Sequence, residues 1–128
     1  MVRYSPMRRP EAGSVVVVDG RGGSLPSEPT KLRPAVVVED HMLFPDEYPN
    51  TIVVPLTRDE GLAHAVFAER IEPTEENGVG TTCWVLAHHV TGVSLRRIDR
   101  TPARLSQEQL SSIRRRIALA VGTPGLDS

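Results

Sequence analysis

Apolar residues fall along this chain in short β-branched runs, and take helical spacing only near its end. Ser14 to Val18 is a first such run, stopped by Asp19-Gly20. Ala35 to Glu39 and Thr51 to Leu56 are two more. A run without alternation suits a strand covered on both faces. Between Ala63 and Ile71 the residues Ala63, Ala65, Phe67 and Glu69 alternate with His64, Val66, Ala68 and Arg70, which predicts a fourth strand. Thr81 to Val90 predicts a fifth, and residues 97–103 a short sixth. A different pattern starts at Ser106, an N-cap with Gln109 three residues on as a capping box. Leu105 and Leu110 take the places of a hydrophobic staple, and Leu110, Ile113, Ile117 and Ala120/Val121 make one apolar stripe. Gly122 supplies the stop and Pro124 follows it, so a helix is expected over 107–121. Its apolar face must cover a sheet.

The intervening segments are turns. Residues 20–33 form a long loop with Gly20, Gly22, Gly23, Pro26 and Pro29, and a loop of this length on a small domain is more often functional than accidental. Its glycines do not make a phosphate-binding P-loop, since no Gly-Lys-Ser/Thr follows and a strand comes next. In the loop 40–50, Phe44 and Tyr48 are expected to fold back over a barrel end, and 72–80 is an acidic turn. Five or six short strands and one closing helix predict a mainly β fold: a small, partly open β-barrel with a C-terminal helix. At 128 residues the chain is read as a single domain over 13–122, with loose tails at 1–12 and 123–128.

Composition refines the picture in two places. Aromatic residues are only 4% of the chain, so the core must be built of Val, Leu, Ile and Ala. Cys83 is the single cysteine and lies in an apolar run, which suits a buried structural thiol in a reducing compartment. No apolar stretch is long enough to span a membrane, and Arg8-Arg9 is not followed by a signal-peptide core. The expected location is cytoplasmic.

Net charge is −1, yet charge is unevenly placed. Residues 39–76 carry ten acids against Arg58 and Arg70, whereas residues 96–116 carry seven arginines against Asp99 and Glu108. A basic zone from the first and last parts would face a polyanion. The competing reading is that Arg114, Arg115 and Arg116 solvate a helix face and pair with the acidic middle.

The sharpest chemical signal is Arg33, placed by Pro34 at the mouth of the second strand. Pro34 biases Arg33 toward extended backbone and has no N–H to give a ladder. An Arg fixed at such an edge is placed to grip a phosphate with its planar fork of donors. Thr57 ends the third strand, and if the second and third strands are neighbours the two share one rim of the sheet.

Ser27-Glu28, Arg33-Pro34-Ala35-Val36-Val37-Val38, Val53-Val54-Pro55-Leu56-Thr57 and Arg104-Leu105-Ser106 together resemble the MazF/PemK family of bacterial toxin endoribonucleases, over about Val15 to Gly122. The resemblance implies an SH3-like barrel with a terminal helix. It implies a metal-independent endoribonuclease that cuts single-stranded RNA, such as mRNA, by attack of the ribose 2′-hydroxyl on the adjacent phosphate, leaving a 2′,3′-cyclic phosphate and a 5′-hydroxyl. It also implies a homodimer and a MazE-like antitoxin whose disordered tail covers the RNA groove. Arg33 and Thr57 match active-site residues of the family, and Glu28 matches a Glu that supports activity in some members, either by orienting Arg33 or by taking the 2′-hydroxyl proton. Lys31, Arg58 and His89 are expected to contact RNA. Where many relatives read Asp-Gln-x-Arg-Thr, this chain reads His88-His89-Val90-Thr91-Gly92. His88 therefore replaces an Asp used in acid–base work, and imidazole suits proton transfer near neutral pH. Strand alternation would point His88 and His89 to opposite faces. No metal and no cofactor is expected, because His41, His64, His88 and His89 lack ligand spacing. The alternative is a binding module with altered chemistry, comparable to the related CcdB toxins, which share the fold and poison DNA gyrase without cutting RNA.

Overall fold

The computed structural model describes residues 9–19, 32–64 and 66–123. Seven strands and one helix follow in chain order: β1 (Ser14–Asp19), β2 (Leu32–Val37), β3 (Asn50–Thr57), β4 (Ala68–Ile71), β5 (Cys83–Leu86), β6 (Thr91–Ser94), β7 (Ile98–Arg104) and α1 (Gln107–Ala120). Every strand pairing is antiparallel. The order across the sheet is β4-β5-β3-β2-β1-β7, with β6 also on β3, and β4 and β7 do not pair to close it.

β3 is the hub. Its first half pairs β6, from Asn50 opposite Ser94 to Val53 opposite Thr91, and its last two residues pair β5. Pro55, with no N–H to give, falls between these two partners, where no ladder bond is lost. The valine runs fill two apolar clusters. Val36, Val38, Val54, Leu56 and Val85 pack on one face with Leu105, Leu110 and Ile113 at the helix. Val16, Ala35, Val37 and Val53 pack on the other, against Val18, Val93 and Ile98. The second half of β2, from Ala35 to Val37, is thus buried on both faces, which is why that run does not alternate.

The helix forms as expected. Ser106 Oγ accepts from Gln109 N at 3.1 Å and Gln109 Oε1 accepts from Ser106 N at 2.9 Å. Gly122, at φ 92°, takes the left-handed turn after the helix. Two of the helix arginines serve the fold. Arg114 donates through Nε and Nη2 to the carbonyls of Val38 and Glu39, each at 3.0 Å. Arg116 pairs with Glu69 at 2.9 Å, and Ser112 donates to the same carboxylate oxygen at 2.6 Å. These two cations belong to the helix–sheet seam rather than to a basic surface.

Four sequence expectations are corrected. β4 starts at Ala68, not Ala63, because the amides of Phe67 and Ala68 both donate to His64 O, at 2.9 and 2.8 Å, and close a turn there. The expected strand 81–90 is only Cys83–Leu86, and a 3-10 turn over Ala87–His89 follows. Thr91–Ser94 is a strand the pattern does not announce, since Gly92 and a single valine give no periodic signal. Arg9 and Pro10, expected in a loose tail, are buried: Arg9 is 3% exposed, and its guanidinium grips Glu39 at 2.7 Å. The rings of Phe44 and Tyr48 lie 5.2 and 5.7 Å from that guanidinium.

Candidate phosphate-binding cleft

β2 and β3 pair with Ala35 opposite Pro55, Val36 opposite Val54 and Val37 opposite Val53. Continued by two residues, this register sets Arg33 opposite Thr57. Both alternate in phase with Ala35, Val37 and Val53, so they stand on the face of the second apolar cluster, at the end where its burial stops. Arg33, Thr57 and Arg58 line one cleft of about 500 Å³. Its walls are Leu32, Pro34 and Leu56, the β7 residues Thr101, Pro102 and Ala103, and the segment from Gly78 to Thr81.

Among the described residues no carboxylate pairs with Arg33 or Arg58. Thr57 Oγ1 accepts from the Asp59 amide at 3.0 Å, which fixes the rotamer and leaves the hydroxyl proton to be donated. Cys83 also lines the cleft, and its burial pushes the thiol pKa up, which disfavours the reactive thiolate. Glu28 and Lys31 lie outside the described residues, as does the loop 20–31. Among the described lining residues there is no Asp, Glu, His or Lys. The arrangement therefore offers an anion site: two guanidinium groups and the Thr57 hydroxyl in a mainly apolar cleft.

The wall at Gly78–Thr81 is held by Asn77, which is 3% exposed. Its Oδ1 accepts from the Thr74 and Val79 amides at 3.1 and 2.9 Å, and its Nδ2 donates to Glu72 O at 2.8 Å. Gly78 sits at φ 69° with space for a Cβ closed by Ala103 at 3.0 Å. Asn77→Ala strips three side-chain bonds and leaves part-buried backbone groups unpaired. The expected loss is about 2–3 kcal/mol, read as a lower urea midpoint.

The structure does not bring His88 or His89 to this cleft. Both are exposed residues of the 3-10 turn after β5, an element that packs against α1. The alternation argument fails because the strand ends at Leu86. The two imidazoles are neighbours, with ring centroids 4.3 Å apart, and do not point to opposite faces. His88 also packs on Phe67 at 5.2 Å, and Phe67 on His64 at 5.3 Å. Partial desolvation, then the charges of His89 and His64, hold the His88 pKa below 6.5. The unfolded chain therefore binds more protons just below that pH, and stability is present above pH 6.5 and falls as the solution is acidified. His88→Gln should flatten this acid-side slope in urea titrations while leaving any activity of the cleft unchanged.

Comparison with known proteins agrees with this fold. The profile of the PemK-like, MazF-like toxins of type II toxin–antitoxin systems matches residues 11–121. The fold is shared with a MazE–MazF crystal structure from Deinococcus radiodurans, at 23% identity and TM-score 0.66, over 88% of this chain and 96% of that one. It is also shared with an endoribonuclease from a mycobacterial species, at 15% identity and TM-score 0.70, over 94% and 98%. A mycobacterial endoribonuclease in complex with its cognate antitoxin aligns at 16% identity and TM-score 0.64, over 92% and 98%. Among curated proteins none matches the chain.

Proposed function

This chain belongs to the family of PemK-like, MazF-like toxins of type II toxin–antitoxin systems, and on that premise we propose that it is a metal-independent endoribonuclease cutting single-stranded RNA such as mRNA. The observation that carries the reading is that Arg33, which pairs with no carboxylate among the described residues, lines one cleft with Thr57. In-line attack of the 2′-hydroxyl on the neighbouring phosphorus puts extra negative charge on the equatorial oxygens. Arg33 meets that charge with two parallel N–H donors, and Thr57 donates its hydroxyl to one oxygen. Arg58 and Lys31 hold flanking phosphates. Glu28, five residues ahead of Arg33, takes the 2′-hydroxyl proton or orients the guanidinium. The P–O5′ bond breaks, the 5′-oxygen takes up a proton from water, and a 2′,3′-cyclic phosphate is left.

In this reading the protein acts in the cytoplasm as a homodimer and arrests growth unless a small antitoxin covers the cleft. The structural neighbours described as a MazE–MazF complex and as an endoribonuclease with its cognate antitoxin support such a partner. The test is unstructured RNA incubated with purified protein in EDTA. Fragments ending in cyclic phosphate are expected, and intact RNA at micromolar protein would reject the proposal.

One observation favours a second reading. No proton-transfer group lies among the described lining residues, and His88, His89 and Thr91 stand where many relatives have Asp, Gln and Arg. A binding module that captures an antitoxin or a protein target without chemistry would look the same. Growth arrest that survives Arg33→Ala without RNA fragments would select it.

A further inference from the structure

The strand registers set one row of side chains across the sheet, and that row extends past the cleft. Arg33 lies opposite Val18 of β1, and Val18 lies opposite Ile98 of β7. On the other side Thr57 lies opposite Trp84 of β5, and Trp84 lies opposite Arg70 of β4. Directly opposed residues share a face, so Arg33, Thr57, Trp84 and Arg70 stand side by side on the face away from the helix. Strands are about 5 Å apart, which puts the Trp84 position roughly 10 Å and the Arg70 position roughly 15 Å from that of Arg33 along the row.

Two features show that the outer half of this row is open. Trp84 is only half-buried, and its indole N–H has no hydrogen-bond partner among the described residues. Arg70 pairs with Glu72, but both side chains are more than half exposed, at 63% and 56%. Glu72 has a second partner in Thr82, whose hydroxyl donates to it at 2.8 Å. An exposed pair of this kind contributes little, and Arg70 can exchange it for a phosphate while Glu72 keeps Thr82.

We infer that Trp84 stacks the base of a nucleotide next to the scissile phosphate and that Arg70 holds the phosphate beyond it. This rests on the RNA reading of the Arg33–Thr57 cleft and deepens it, because it gives the bound strand a direction: outward across β5 and β4. A base on an indole is sequence-tolerant, since every base has a π-face, and an adjacent Arg adds charge. The platform also splays the strand, which a nuclease acting by 2′-hydroxyl attack requires for in-line geometry.

Trp84 is the only tryptophan in the chain, so its emission reports the site directly. The probe is a short single-stranded 2′-O-methyl RNA, which cannot be cut by this chemistry. Anisotropy of end-labelled probe gives affinity, and indole emission is followed with unlabelled probe. Emission should be quenched in step with binding. Trp84→Ala should weaken binding by roughly tenfold or more, and Trp84→Phe should recover part of it. Arg70→Ala should lower the slope of log affinity against log salt by about 0.7. Circular dichroism of each variant reports its folding, and quenching of the unaltered protein stands without any variant. Binding with unchanged emission would overturn the stacking role and leave the RNA reading intact. No binding at all would overturn both. Emission that depends on protein concentration and not on RNA would assign the indole to a contact between protein copies and overturn the proposal.

Discussion

Arg33→Ala should lower the rate of RNA cleavage by about 100- to 1000-fold in single-turnover reactions. That is the scale for removing one preorganised donor from a developing oxyanion. The group is poised rather than structural: it is exposed, forms no ion pair among the described residues, and stands at the strand end where the apolar cluster stops. The variant should accordingly keep its urea midpoint and circular dichroism. Arg33→Lys should recover only part of the loss, because an ammonium is a point charge without the planar fork that meets two phosphate oxygens together. A loss of rate that tracked a loss of stability would instead make Arg33 a packing residue.

Arg9→Ala should be the most damaging single change to stability, at about 3–5 kcal/mol, because it leaves a buried carboxylate without its cation. Arg9 and Glu39 side chains are 2% and 1% exposed, and two guanidinium nitrogens meet Glu39 Oε2, at 3.0 and 2.7 Å. The same guanidinium donates to Tyr48 O at 2.6 Å and to Asn50 O, so it also ties the loop before β3 to the start of the chain. Glu39 Oε1 has no partner among the described residues, which makes the pair costly even when intact. Replacing both residues by apolar side chains of similar volume should therefore cost far less than replacing Arg9 alone. Domains are stable by only about 5–15 kcal/mol, so Arg9→Ala should shift the urea midpoint by a large fraction. An unchanged midpoint would mean that the site is wet and the pair exposed.

These residues differ in how far the sequence exposes them. β1 to β3 are legible because Val15, Val16, Val36, Val37, Val53 and Val54 are buried from both sides and leave an unbroken apolar run. The helix is legible because its cap is local: Ser106 and Gln109 satisfy each other across three residues. Arg33 is legible for the same local reason, through Pro34. Arg9 gives no such sign, as its partner is thirty residues away and a charged residue between prolines reads as tail. His88 misleads because periodicity carries the strand through Ala87, where the backbone instead turns. Trp84 acquires meaning only from the β3–β5 register, which places it beside Thr57. That pairing joins residues far apart in the chain, and no local pattern encodes it.

Convergence of Arg33 and Thr57 on one phosphate is tested most directly by a double-mutant cycle on the cleavage rate, with Arg33→Ala, Thr57→Val and the pair measured on one unstructured RNA in EDTA. The expected result is a loss in each single variant and a double variant impaired less than the product of the two, with a coupling of about 0.5–3 kcal/mol. Strictly multiplicative losses, or a Thr57→Val enzyme as fast as the parent, would show that the two groups do not act together on the reacting phosphate.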